Sequence, residues 1–138
     1  MPDTIFSKII RGDFPCHKVF ENEHVLAFLD INPVSPGHTL VIPKEAAEKI
    51  EDLSANAAAE LGRILPRLCK AVSTATGSTE YNLLQNNGIE AHQTVMHVHF
   101  HIIPKPDSTQ GLGIRWPSGS LSQADADALG TKIIAELS

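Results

Sequence analysis

Only two cysteines occur in the 138 residues, Cys16 and Cys69, and they stand far apart in the chain. That is too few for a disulfide framework, so the expectation is two free thiols in a reducing compartment, cytoplasmic and also nuclear. Long apolar runs are missing too. Stretches such as Val25-Leu26-Ala27-Phe28-Leu29 and Thr39-Leu40-Val41-Ile42 fall far short of the roughly 20 residues a membrane span needs. The start, Met1-Pro2-Asp3-Thr4, has neither the basic nor the apolar region of a secretory signal, so no membrane partner is expected. Basic charge is scarce: 11 Lys and Arg stand against 16 Asp and Glu, a net −5. This argues against coating nucleic acid through bulk basicity. It leaves room for a single nucleotide, because backbone N–H groups, hydroxyls and imidazoles hold phosphate without net positive charge.

What is present fits one domain over residues 1–138, with a core from about 3 to 117 and an extension over 118–138. Thr4 to Gly12 reads as a short helix with apolar residues at 5, 6, 9 and 10, stopped by glycine. Residues 17–21 and 24–30 read as strands around a turn, and 38–43 as a third. The two prolines and one glycine of Asn32 to Gly37 make that segment a loop. Ser54 is an N-cap, and Leu61, Ile64, Leu65, Leu68 and Val72 form one apolar stripe of a long helix ending at Gly77. Pro66 inside that stripe predicts a kink or a broken turn. Strands follow at 81–85 and 98–103, then a loop rich in Pro, Gly and Ser over 104–119. Leu129, Ile133, Ile134 and Leu137 mark a C-terminal helix. The class is α+β, with mostly antiparallel strands.

Seven histidines decide the functional reading. His97-Val98-His99-Phe100-His101-Ile102-Ile103 alternates imidazole with apolar side chains. On a strand Val98, Phe100 and Ile102 enter the core while His97, His99 and His101 share the other face. Packing alone does not call for three imidazoles in a row.

Two chemistries use such an array. Neighbouring rings about 6.6 Å apart can pinch a metal, but the outer two are about 13 Å apart and need a third ligand such as His38 or His92. No Cys pair or HExxH accompanies them. Alternatively a neutral imidazole attacks phosphorus while its neighbours orient it and donate to phosphoryl oxygens. Asn86-Asn87-Gly88 and His92-Gln93-Thr94 add amides, a hydroxyl and a glycine. No P-loop or Rossmann fingerprint offers another explanation for nucleotide binding.

The array resembles the His-φ-His-φ-His-φ-φ signature of the histidine triad (HIT) superfamily. Asp3 to Ile10, Leu26 to Ile31, Gly37 to Lys44 and Arg115-Trp116-Pro117 resemble its Hint branch, the purine nucleoside phosphoramidases, in order and spacing. The resemblance implies a HIT fold: a five-stranded antiparallel sheet with a long helix and a short N-terminal helix, paired into a homodimer. It implies hydrolysis of nucleoside 5′-phosphoramidates, aminoacyl adenylates included, without metal or cofactor. His99 corresponds to the nucleophile that takes the nucleotidyl group, His101 to a phosphate contact, His97 to a structural member, and His38 to a residue orienting the nucleophile. Asp30 corresponds to the carboxylate on the ribose hydroxyls. Ile5, Phe6, Ile9, Phe28, Ile31 and Leu40 correspond to the purine wall, and Asn86, Gln93 and Thr94 to phosphate-side contacts.

Three departures from animal members stand out, and fungal members look more similar. His92 replaces a glycine, the loop over Lys105 to Ile114 is longer, and a tail runs to Ser138. In the branch the Trp-Pro segment reaches the partner's site, which makes Trp116 a candidate contact. Two other readings share the motif: a dinucleoside polyphosphate hydrolase, and a catalytically idle nucleotide- or zinc-binding module.

Overall fold

In the computed structural model, which describes residues 2–138, the chain begins with a helix fixed at both ends. Helix α1 (Ile5–Arg11) starts at Thr4, whose hydroxyl accepts from the Ser7 N–H while the Ser7 hydroxyl accepts from the Thr4 N–H. Gly12, at φ 85°, closes it in the left-handed region where only glycine is unstrained. Strands β1 (Lys18–Glu21) and β2 (Val25–Leu29) follow, their turn held by Asn22 Oδ1, which accepts from the His24 and Val25 N–H groups. After β3 (Thr39–Pro43) come α2 (Ala55–Thr76), β4 (Tyr81–Gln85), β5 (Phe100–Pro104) and α3 (Gln123–Glu136). The five strands make one antiparallel sheet in the order β1-β2-β3-β5-β4. The expected class, sheet and three helices are therefore present.

The sheet separates two apolar layers. Val25, Ala27, Val41 and Ile102 face α2 and meet Leu61, Ile64, Leu68 and Cys69. Leu26, Phe28, Leu40 and Ile42 face the other way and meet Phe6 of α1. The central strands are buried on both faces, so their sequences read as apolar runs rather than alternations. Two expectations change. Of the kink or broken turn expected at Pro66 the broken turn is absent: α2 runs on through it, with Leu61 and Ile64 before it and Leu68 and Cys69 after it pinned to the same sheet face. Strand β5 begins at Phe100 rather than Val98, because the Val98 N–H donates to Ala47 O in the loop beyond β3 instead of joining the ladder.

Candidate active site

The alternation of the histidine segment survives this shortening. Val98 and Ile102 are fully buried, while the rings of His97, His99 and His101 stay on the α1 side. Phe6 meets His97 and His99 edge-on at 6.1 and 5.0 Å between centroids, and His99 meets His101 at 4.9 Å. Register then brings in the fourth histidine. Leu40 pairs with His101 across β3 and β5, which sets His38, two residues earlier, beside the His101 ring.

Backbone partners fix the tautomers. His38 Nδ1 accepts from the Val34 N–H (3.1 Å), so its proton is on Nε2 and is donated to His101 Nδ1 (2.9 Å). His101 therefore carries its own proton on Nε2. His99 Nδ1–H donates to His97 O (2.7 Å), which leaves the Nε2 lone pair free. His97 Nε2–H donates to Pro43 O (2.8 Å); its Nδ1 is buried without a hydrogen-bond partner among the described residues. Burial pushes all four imidazoles below their ordinary pKa, so they are neutral at pH 7. For His101, burial and then the neighbouring His99 and His38 bring the value to about 4, against an opposing pull from Asp30.

His99 and His101 open onto a cavity of about 720 Å³. Of the residues expected at a nucleotide, Ile5, Phe6, Ile9, Phe28, Asp30, Ile31, Leu40 and Thr94 line it. Asp30, Asn32, Thr94 and the two histidines bring polar groups to a wall that is otherwise mainly apolar, a mix that suits a nucleotide. Asp30 accepts from the Asn32 N–H (2.8 Å) and lies 3.6 Å from His38 Nε2. Asp30, His38 and His101 offer donor atoms within 4.8 Å of one another. Both nitrogens of His38 are already committed, one accepting and one donating, so the cluster is a hydrogen-bond chain first.

The other expected residues lie elsewhere. His38 stands behind His101, and His97 borders a separate cavity of about 230 Å³ with Ser7 and Lys44. Gln93 is buried, with Oε1 accepting from the Gly88 N–H and Nε2 donating to Glu48 O and Val95 O; it shapes the loop before the histidines. His92, at φ 69°, is exposed in that loop, and neither it nor Asn86 lines the cavity. Trp116 is 82% exposed, away from this chain's own cavity. Reasoning from sequence missed the segment Phe14, Pro15, Cys16 and His17, which also lines it. Their only signal was an apolar pair following the Gly12 stop of α1.

A histidine array running into the β5 strand of an antiparallel sheet, with His99 and His101 on such a cavity, defines a histidine triad protein. Residues 11–108 match the HIT domain family, and the chain belongs to it. It is 53% identical to an adenosine 5′-monophosphoramidase of Schizosaccharomyces pombe over 96% of this chain and 97% of that protein. A solved HIT family member from Bacillus subtilis superposes with a TM-score of 0.94 at 38% identity over 99% of both chains. A solved protein from Leishmania major gives 0.92 at 47% identity, over 98% and 96%.

Proposed function

We propose that the protein hydrolyses nucleoside 5′-phosphoramidates of the adenosine 5′-phosphoramidate type through a nucleotide carried on His99. The observation that carries the reading is the free Nε2 lone pair of His99, held on the cavity by its Nδ1–H bond to His97 O. The name of the fission-yeast relative supports the substrate class. In the first step Nε2 attacks phosphorus, the P–N bond to the amine breaks with its electron pair going to nitrogen, and the amine takes up one proton from solvent as it leaves. Water then attacks phosphorus and gives up a proton to solvent, the P–Nε2 bond breaks with its electron pair returning to Nε2, and the nucleoside monophosphate departs. His101 Nε2–H donates to a phosphoryl oxygen throughout, and the purine lies among Phe6, Ile9 and Phe28. Asp30 accepts from the ribose hydroxyls.

The reading includes a two-fold dimer in the cytoplasm or nucleus, with Trp116 near the partner's cavity. Its support is the free edge of β4, where Tyr81 and Leu83 stand exposed.

The test is release of ammonia from adenosine 5′-phosphoramidate with EDTA present. Turnover by the wild type and its near-complete loss in His99→Ala is the expected result. Turnover that needs added zinc would overturn attack by His99. Faster cleavage of diadenosine triphosphate than of the phosphoramidate would move the protein to the dinucleoside polyphosphate hydrolases.

A further inference from the structure

Helix α3 is out of place on a single chain. It buries none of its side chains, and Leu129, Ile133, Ile134 and Leu137 are 52, 61, 68 and 80% exposed. Three of these, at 129, 133 and 137, are spaced four apart and form one continuous apolar stripe. A 14-residue helix of this kind is marginal alone in water, and Gly130 and Thr131 weaken it further. Among the described residues its own chain covers none of these four apolar side chains. Yet the solved Bacillus subtilis protein superposes over 99% of the chain, so the extension takes this placement there as well.

We infer that α3 is a clasp which docks its Leu129, Ile133 and Leu137 stripe on a second copy of this chain, beside the partner copy's β4 edge. The inference rests on the dimer of the proposed function and goes beyond it by assigning the extension. The receiving surface is on the same sequence. Strand β4 is a free edge, and Leu83, which pairs with Ile102, is on the α2 side of the sheet yet 44% exposed. Tyr81 shares that face at 40% exposure. Charge agrees: Arg67 and Lys70 on the exposed side of α2 have no carboxylate partner among the described residues, while α3 carries Asp125, Asp127 and Glu136 against one lysine. Because clasp and receiver belong to one chain, a two-fold axis makes both contacts at once and closes the assembly.

The experiment is sedimentation equilibrium of the full chain, of Leu129→Asp/Ile133→Asp, of Leu83→Asp and of the combined variant, with hydrogen exchange of the α3 amides. All these side chains are exposed, and circular dichroism checks that each variant folds. The clasp variant and Leu83→Asp are each expected to raise the dimer dissociation constant at least about tenfold. The combination is expected to raise it by less than the product of the two, as contacting residues do. The α3 amides are expected to be protected in the dimer and to exchange freely in the clasp variant. A wild-type dimer that keeps its dissociation constant in the clasp variant, with α3 exchanging freely in both, overturns the clasp and leaves the dimer standing. A wild-type monomer at every concentration overturns the dimer reading as well.

Discussion

His38 Nε2 and His101 Nδ1 stand 2.9 Å apart although 63 residues separate them in the chain. The bond does more than hold two strands. By donating its Nε2–H to His101 Nδ1, His38 holds the His101 proton on Nε2, the nitrogen left for a phosphoryl oxygen.

Removing that donor therefore changes chemistry more than binding. His38→Ala is expected to lower kcat more than it raises KM. His101→Ala, which removes the phosphoryl donor itself, is expected to cost about 10²–10³-fold in kcat. Steady-state kinetics on adenosine 5′-phosphoramidate check both. A His38→Ala effect confined to KM would contradict the relay.

The acid limb of activity follows from the direction of the histidine shifts. His99 must be neutral to attack, and burial holds its pKa below the ordinary value. The acid limb of activity should therefore lie below pH 6.5. The pH dependence of kcat/KM measures this directly.

Stability takes the same sign. The folded-state pKa of His101 is depressed to about 4, so in the window below about 6.5 the unfolded chain binds more protons than the native one. The neutral imidazole's full stability is present above that window and is lost as pH falls toward 4. Thermal unfolding from pH 7 to 4 should show a falling Tm, with a shallower slope in His101→Asn.

Gln93 tests the difference between touching a nucleotide and shaping a loop. Gln93→Glu keeps the volume but turns a double donor toward Glu48 O and Val95 O into an acceptor. The expected loss of unfolding free energy is at least about 2 kcal/mol. Chemical denaturation detects it whether or not nucleotide is bound.

Gly37 gives a separable pair of effects. It sits at φ 92°, and a Cβ there would collide with Thr76 Cγ2. Gly37→Ala should cost about 1–2 kcal/mol for the backbone and a further 1–3 for the clash. Adding Thr76→Ser, which removes that methyl, should restore only the second part.

Legibility in the sequence followed the range of the interaction. Both ends of α2 could be read because Ser54 and Gly77 act on the turns beside them. The continuity of α2 across Pro66 could not, since it depends on packing against β2, β3 and β5. In the site, alternation of the histidines with Val98, Phe100 and Ile102 was visible, and so was their common face. Without the family resemblance, nothing local joins His38 to His101, because β3 and β5 pair across the whole of α2 and β4. Phe14 to His17 went unnoticed for the opposite reason: an irregular connection has no period to read.

The strand order has a consequence for how the molecule is made. β5 is the last strand in the chain, yet it lies between β3 and β4. Until it arrives, those two strands have no shared neighbour and the sheet remains in two pieces. The strand that joins them also carries His101, the ring bonded to His38. Long loop closure makes that insertion the entropically costly event, so a partly folded chain has no assembled centre. Completion of the sheet and assembly of the histidine cluster are thus one event.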